Sequence, residues 1–290
     1  MRIGDTGLKW LFLAPTLLLL LFIVVFPLIW SLGLSFCKYN ATRDEPPLFV
    51  GLQNYRRLLS SPDVWRRFTV TGRYVLLAVA GEFALGFGLA LLLNRRFYGK
   101  GLITTLFLLP MMFSPVVIGT FFRFMLDPNW GIVDHVLSKL GLPRIAWTSD
   151  PRFAIYSLVI CDVWIWTPFM ILMTLAGLST VPPYLYEAAE IDRASWWLKF
   201  RYITLPHIAP ILILALLFRT MDAIRFFDQV YVLTGGGPGE VTETVPFYIY
   251  KVAFSYWRTG ESCALAYILV IVIIGLSSIY IHYLNKVRGR

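Results

Sequence analysis

Six long apolar runs alternate with shorter polar connections along this chain. A helix needs about 20 apolar residues to cross roughly 30 Å of hydrocarbon, and each run is close to that length. The runs cover residues 10–36, 69–93, 102–126, 153–178, 208–233 and 262–284. The first run extends past the apolar core of about 7–15 residues that a signal peptide has, so we predict a retained anchor. The pattern predicts an all-α polytopic membrane protein with six transmembrane helices.

Composition supports a membrane protein and excludes several other classes. The chain has 290 residues, of which 58% are hydrophobic and only 15% are charged, and its mean hydropathy is +0.67. These values exclude a disordered chain, a coiled coil and an ordinary soluble domain. The net charge of +9 is expected in cytoplasmic loops rather than at a nucleic-acid surface. The three cysteines and three histidines are isolated, so neither a disulfide framework nor a metal site is predicted.

The basic residues predict that both termini are cytoplasmic. The inner and outer connections of that topology hold equal numbers of Lys and Arg, but the inner connections are shorter. Short loops carry most weight in setting orientation, and residues 94–101 and 286–290 are compact basic patches. We therefore predict an N-terminal helix with the first outer loop (1–68), a five-helix core (69–284) and a cytoplasmic tail (285–290).

The longest inner connection, residues 179–207, predicts two short helices that project into the cytoplasm. Pro182 and Pro183 suit the first turn of a helix, and Glu187 and Glu190 favour its N-terminal end. We expect the two helices to meet near residues 192–193. An amphipathic segment that lies on lipid headgroups is the alternative.

This connection resembles the EAA motif of ABC importer permeases, because the residues EAA and a terminal I-x-L-P recur at the family's spacing. Arg193 stands where the family has a glycine, and a positive φ there would cost roughly 1–2 kcal/mol. The resemblance implies that this segment contacts an ATPase subunit. The implied coupling residues are Glu187, Ala188, Ala189, Asp192, Arg193, Ile203, Leu205 and Pro206.

Further segments extend the resemblance to maltose-type and glycerol-phosphate-type permeases of carbohydrate importers. They are Phe49 to Tyr55, Leu109-Pro110 with Ser114-Pro115, Asp127 to Gly131 and Val232 to Pro238. The resemblance implies the MetI-like fold of a type I ABC importer permease in the cell (inner or plasma) membrane of a prokaryote. It also implies a second homologous permease, two ATP-binding subunits, an extracytoplasmic solute-binding protein and a sugar cargo.

No ATP-binding loop of its own is predicted, because the chain contains no GxxxxGK[ST] motif. We therefore expect no cofactor and no enzymatic activity on this chain, with ATP and Mg²⁺ bound by the partner ATPase. The glycine-rich stretch 235–239 is predicted to lie outside the cell. We interpret it as a flexible contact with the solute-binding protein, through Gly235, Gly236, Gly237 and Pro238.

Ionisable residues inside apolar runs are candidates for function because they are costly in a bilayer. We predict that Glu82 pairs with an arginine of another span. Arg219, Asp222, Arg225 and Asp228 recur every three residues, so neighbours could pair along one helix or bind a polar cargo. The family resemblance implies a mid-membrane pocket. Its implied residues are Asp162, Ile165, Trp166, Phe169, Arg219, Asp222, Ala223 and Phe226.

Two alternatives remain at this point. The arginines of the fifth run would suit an anionic cargo such as glycerol phosphate, although Asp162, Asp222 and Asp228 oppose it. An ion-driven secondary transporter or a membrane enzyme would use Glu82 and Asp162 as proton relays. Neither an inverted repeat nor a nucleophile–base–metal arrangement supports that second alternative.

Overall fold

The computed structural model describes residues 5–95 and 97–288, and this part of the chain is mainly helical. Its first half contains one two-stranded antiparallel sheet, in which Cys37 pairs with Phe49 and Lys38 with Leu48. A π-helical turn, Leu21–Val25, joins the first two helices. The elements are α1 (Asp5–Leu20), α2 (Phe26–Ser35), β1 (Cys37–Lys38), β2 (Leu48–Phe49), α3 (Gln53–Leu59), α4 (Pro62–Leu93), α5 (Lys100–Leu108), α6 (Pro115–Met125) and α7 (Ile132–Lys139).

The second half is helical with three π-helical segments, Phe200–Thr204, Val230–Thr234 and Lys251–Ser255. Its longest elements are the two apolar helices α8 and α13. Pro168 lies inside α8, which continues without a break. The helices are α8 (Ala154–Ser179), α9 (Pro183–Ile191), α10 (Trp196–Lys199), α11 (Leu205–Ile224), α12 (Val245–Tyr250) and α13 (Thr259–Arg288).

The helices confirm the prediction of an all-α polytopic membrane protein. Among the described residues, five helical stretches are long and apolar enough to cross a bilayer, and a bent pair of helices makes up to six. The first stretch, Lys9–Ser35, is the least packed, because none of its most apolar window is buried. The five stretches are Lys9–Ser35, Pro62–Leu93, Ala154–Ser179, Trp196–Ile224 and Thr259–Val287.

The third predicted span is not one straight helix. Lys100–Met112 and Pro115–Met125 meet at an angle of 97°. Ser114, between them, has an extended backbone with ψ of 136°, because a following proline disfavours the helical region for the residue before it. The Ser114-Pro115 pair therefore divides the run 102–126 into two shorter helices.

The fifth predicted span also differs from the expectation, because α11 ends at Ile224 instead of continuing to residue 233. Arg225 follows the last turn with φ of −88° and ψ of 6°. The predicted ladder of charges along one helix is therefore wrong beyond Asp222. Arg225 still pairs with Asp222 at 3.6 Å, but Asp228 lies outside the helix.

The chain divides into two compact units, which we describe separately. One contains the described residues up to Trp65 together with Tyr248–Ile271. The other contains Arg66–Phe247 and the residues from Val272 onward. In this second unit, buried side chains of α4, α6, α8 and α11 form the main hydrophobic core, including Tyr74, Ile118, Leu158, Ile165 and Ala215. The predicted domain boundary at residue 68 stays a prediction.

Candidate functional sites

A buried cluster of charged side chains joins three helices of the second unit. Arg219 of α11 donates from Nε to Glu82 Oε2 at 2.6 Å and from Nη2 to Glu82 Oε1 at 2.9 Å. The same Nη2 donates to the carboxylate of Asp162 on α8. All three side chains are at most 1% exposed. The prediction that Glu82 pairs with an arginine of another span is therefore confirmed.

The fork of the guanidinium explains why arginine can hold this position. It reaches two carboxylates on different helices at once, in the bidentate geometry that gives strong charge-assisted hydrogen bonds. Nη1 also donates to Asp222 Oδ2 at 3.3 Å, and the ring of Trp166 lies 5.1 Å from Cζ. Because a charge without a partner is costly inside a protein, the cluster holds α4, α8 and α11 together.

One side of the cluster retains hydrogen-bonding capacity. The Tyr74 hydroxyl is buried beside the Asp162 carboxyl. Within the described part of the chain, neither this hydroxyl nor the second oxygen of Asp162, Oδ1, makes a hydrogen bond of good geometry. The ring of Tyr74 stacks on Phe226 with centroids 4.4 Å apart. Tyr74 is a cluster residue that the sequence analysis missed, because a single tyrosine in an apolar run gives no charge signal.

The structure separates the predicted pocket residues into two groups. Five are buried, namely Asp162, Ile165, Arg219, Ala223 and Phe226. The other three are partly exposed, namely Trp166, Phe169 and Asp222. Only the second group offers a cargo an accessible surface in this conformation. The assignment of these residues to a sugar site stays a prediction.

The predicted coupling segment contains one separate short helix, α9, whereas α10 is the first turn of the continuous helical stretch Trp196–Ile224, so the prediction of a second short helix is wrong. Helix α9 ends at Ile191, and Arg193 adopts φ of 52°, which is the left-handed conformation that the family's glycine would adopt without strain. Backbone hydrogen bonds close this turn, from Arg193 to Glu190 at 3.0 Å and from Ala194 to Ala189 at 2.9 Å. The hydroxyl of Ser195 then caps α10 by accepting from the Leu198 N–H at 3.4 Å.

Most of this segment is exposed. Glu187, Ala188, Asp192, Arg193 and Pro206 are exposed, whereas Ala189, Ile203 and Leu205 are partly buried. Several large apolar side chains are also exposed, including Ile191 at 84% and Trp197 at 58%. Two contacts that the sequence did not predict fix the segment: Lys199 Nζ pairs with Glu190 at 3.1 Å, and the Phe200 ring packs edge-on to Phe87 of α4 at 6.2 Å.

The glycine-rich stretch, which the sequence analysis interprets as a flexible contact, makes several hydrogen bonds within the chain. Gly235 and Gly236 have φ of 58° and 83°, and the Gly237–Pro238 peptide bond is cis. The Gly235 N–H donates to Val230 at 2.7 Å, and the Thr242 hydroxyl donates to the Gly237 carbonyl at 2.6 Å. A contact with a partner through this loop stays a prediction.

An acidic stretch beside this loop forms a second buried ion pair that the sequence analysis missed. Arg67 Nη2 lies 3.3 Å from Glu243 Oε2 and 3.3 Å from Glu240 Oε2. Glu243 is only 1% exposed. Arg67 was assigned to an outer loop from the hydropathy pattern, but it belongs to α4, which begins at Pro62.

Two of the segments that carried the family resemblance have structural roles. Asn54 Nδ2 donates to the carbonyls of Ser35 and Cys37, both at 2.9 Å, and so ties α3 to the end of α2.

The second of these segments is the turn from Asp127 to Gly131. The Asp127 carboxylate accepts the Asn129 N–H at 2.9 Å, and this hydrogen bond lowers the pKa of Asp127 below its ordinary value. A Cβ at Gly131 would collide with backbone atoms of Asp127 and Met125, so this turn requires glycine.

The fold and these sites are those of a polytopic membrane transport protein. Residues 83–288 match the family described as "Binding-protein-dependent transport system inner membrane component". The chain belongs to this family.

Two curated relatives and one solved structure extend the similarity over nearly the whole chain. The trehalose/maltose transport system permease protein MalF of Thermococcus litoralis is 36% identical over 290 residues, which cover 100% of this chain and 97% of the relative. The sulfoquinovosyl glycerol transport system permease protein SmoG of Agrobacterium fabrum is 34% identical over 283 residues, which cover 98% and 92%. A bacterial ABC transporter involved in the import of the acidic polysaccharide alginate shares the fold, with a TM-score of 0.86 at 23% identity and coverage of 98% and 97%.

Proposed function

We propose that this chain is a membrane permease subunit of an ATP-driven, binding-protein-dependent sugar importer. The observation that carries the proposal is the exposed coupling segment between residues 183 and 206, with the left-handed turn at Arg193. The full-length similarity to a trehalose/maltose permease supports a sugar cargo. The chain forms half of the translocation path and makes or breaks no covalent bond.

The proposed partners bind at two surfaces of the chain, the coupling segment and the glycine-rich stretch. A homologous second permease completes the path, and two ATP-binding subunits hydrolyse ATP with Mg²⁺. One ATP-binding subunit covers the exposed side chains of the coupling segment, such as Ile191 and Trp197, since exposed apolar residues favour a protein contact. A solute-binding protein delivers the cargo at the opposite face, where Gly235–Pro238 contributes to its docking surface.

The proposed mechanism is alternating access between an inward-facing and an outward-facing state. Closure of the ATPases moves the coupling segment, whose helices α9 and α10 are joined by the Lys199–Glu190 pair, and the Phe200–Phe87 contact passes this movement to α4. The ion cluster keeps α4, α8 and α11 moving together. In the outward-facing state, the aromatic faces of Trp166 and Phe169 stack on the sugar ring, and the Asp222 carboxylate accepts hydrogen bonds from its hydroxyls. The Arg219 guanidinium, 5.1 Å from the Trp166 ring, holds that ring in position.

Transport by the reconstituted complex tests this proposal. The full chain is purified with the subunits that accompany it, placed in proteoliposomes and supplied with the solute-binding protein. Uptake of labelled trehalose or maltose is then measured with and without ATP. We expect uptake only when ATP and the binding protein are both present.

Two results would contradict the proposal in different ways. Uptake that a proton gradient drives without ATP would replace the importer with an ion-driven transporter. Uptake of glycerol phosphate, with none of either disaccharide, would keep the permease assignment and overturn the neutral sugar. The neutralisation of Arg219 by Glu82 and Asp162 argues against an anionic cargo, since it leaves no free positive charge at that position.

A further inference from the structure

A cavity of about 760 Å³ lies between the C-terminal half of α4 and the helices α9 and α10. It has an apolar wall and a polar mouth. The wall is made by Leu85, Leu89 and Leu92 of α4, and the mouth by Asn94, Arg95 and Lys199. This cavity is separate from the ion cluster and from the proposed cargo residues.

The apolar wall forms a groove that can hold part of an acyl chain. Leu85 and Leu92 are 54% and 59% exposed, and a helix rises about 1.5 Å per residue, so the two lie about 10 Å apart along the axis. Gly88, between them, forms the floor of the groove. A Cβ added at Gly88 would meet no atom within 4 Å, so the space above it is open.

The mouth carries one positive charge, that of Arg95, which no described residue neutralises. Lys199 is paired with Glu190 at 3.1 Å. Within residues 5–95 and 97–288, the guanidinium of Arg95 makes no hydrogen bond or ion pair. Arg95 follows α4 directly, in a turn that the charge distribution assigns to the cytoplasmic side. Trp196, on the same rim, is 64% exposed, as is typical of tryptophan at a membrane interface.

We propose that this cavity binds one anionic phospholipid of the inner leaflet. One acyl chain lies along Leu85, Gly88 and Leu92, and the phosphate accepts hydrogen bonds from Arg95 and Asn94. An apolar groove that ends in an unneutralised cation matches an amphipathic anion. A sugar would find no hydrogen-bonding groups along the leucine wall.

Because the site borders the coupling segment, a bound lipid would regulate transport. This consequence rests on the proposed function. Lys199, Trp196 and Glu190 line the cavity and belong to the coupling segment. A bound lipid therefore stabilises the contact between α10 and α4. Binding itself does not depend on transport, so the two proposals can fail independently.

Native mass spectrometry of the full-length chain in detergent tests the site. Dioleoyl phosphatidylglycerol and dioleoyl phosphatidylcholine are titrated separately, and the bound lipid is counted. We expect one phosphatidylglycerol to bind about fivefold more tightly than phosphatidylcholine, the factor that one basic residue contributes to the binding of anionic lipid. Arg95→Gln should remove this preference, so that the variant binds the two lipids equally.

A variant that fills the groove tests the position of the acyl chain. Gly88→Leu should weaken phosphatidylglycerol binding about tenfold, because overpacking of a filled space is costly. Gly72→Leu is the matched control, since Gly72 is also on α4 and a Cβ there also meets nothing within 4 Å. Equal circular dichroism spectra and melting midpoints of the two variants show that both are folded.

Three outcomes would overturn the proposal. Equal binding of the two lipids by the wild type would show that Arg95 does not recognise the negative charge of the lipid. Unchanged phosphatidylglycerol binding by Gly88→Leu would mean that no acyl chain occupies the groove. Equal losses in Gly88→Leu and Gly72→Leu would show that the lipid is bound along α4 in general and not in this cavity.

Discussion

The ion cluster buries charged side chains, whereas the coupling segment exposes apolar ones. In the cluster, Glu82, Asp162 and Arg219 are charged and nearly inaccessible to solvent. In the coupling segment, Ile191 and Trp197 are apolar and exposed. Both regions depart from the usual arrangement of a soluble protein, in which charge lies outside and apolar side chains inside.

The difference lies in where each group finds its partner. The carboxylates of the cluster are hydrogen-bonded to a guanidinium of the same chain, so the cluster can maintain the helix packing by itself. The exposed side chains of the coupling segment have no such cover within the described residues. We therefore expect changes in the cluster to affect folding, and changes in the coupling segment to affect assembly and transport.

Loss of the central arginine should have the largest effect on stability. Arg219→Met leaves two buried carboxylates without their counter-ion, and removal of one partner from a buried ion pair typically costs about 3–5 kcal/mol. Thermal unfolding in detergent measures this. Arg225→Met is the control, because the Arg225 side chain is 64% exposed and an exposed pair contributes about 0–1 kcal/mol. Similar melting midpoints for the two variants would show that the buried cluster does not stabilise the fold.

Substitutions in the glycine-rich loop should cause the next largest loss of stability, because contacts within the chain also hold this loop. Gly236 has φ of 83°, and an added Cβ would lie 2.7 Å from the Phe247 ring. Gly236→Ala therefore combines backbone strain with a steric clash, and we expect about 2–3 kcal/mol of destabilisation. Gly235→Ala separates the two causes, because it has φ of 58° and meets nothing within 4 Å. An equal loss in both variants would mean that the clash has no effect.

A glycine at the turn of the coupling segment should increase stability slightly. Arg193 has φ of 52°, and this conformation costs an arginine roughly 1 kcal/mol that glycine avoids. Arg193→Gly should raise the melting midpoint, and Arg193→Asn should do so less. Arg193→Ala is the control, since it removes the side chain but keeps the strain. If Gly and Ala behave alike, the turn is not strained.

The exposed pair Asp150–Arg152 should show the smallest effect. Hydrogen bonds from Arg152, including one from Nη2 at 2.7 Å, lower the pKa of Asp150 below its ordinary value. A carboxylate with a depressed folded-state pKa stabilises above its unfolded value, and this contribution is lost as pH falls through the folded value. Asp150→Asn should thus melt slightly below wild type at pH 7, and the difference should begin to shrink near about pH 4 and vanish only below the lowered pKa of folded Asp150. A difference that persists there would point to a cause other than ionisation.

Hydropathy and motif spacing predicted the main helices, but neither the bends within them nor the residues at which they end. The runs 69–93 and 153–178 correspond to α4 and α8. A long apolar stretch in a bilayer must satisfy its backbone hydrogen bonds internally, and a helix does this. Pro115 allows a locally irregular helix, but the 97° bend before it was not predicted, because hydropathy carries no information on the angle between helices. The early end of α11 was missed for a related reason: a three-residue spacing of charges suits a helix but does not require one.

The candidate sites were predictable where the constraint was local. The turn at Arg193 follows from a twenty-residue motif, so its positive φ could be expected. The ion cluster was only half predictable, because Glu82 and Arg219 are far apart in sequence and nothing local selects one arginine over another. The burial of Asp162 depends on packing among α4, α8 and α11, which no local pattern encodes.

One measurement tests most directly the claim that the exposed coupling segment receives the ATPase. ATP hydrolysis stimulated by the solute-binding protein and sugar is compared in reconstituted complexes with wild-type chain, Glu187→Lys and Glu45→Lys. Glu45 is an exposed glutamate in the predicted outer loop and serves as the charge-matched control. We predict that Glu187→Lys lowers stimulated hydrolysis at least about tenfold, the scale of one disrupted interface contact of 1.4 kcal/mol, while Glu45→Lys retains it. Unchanged hydrolysis and uptake in Glu187→Lys, in a complex that still assembles, would contradict the coupling role.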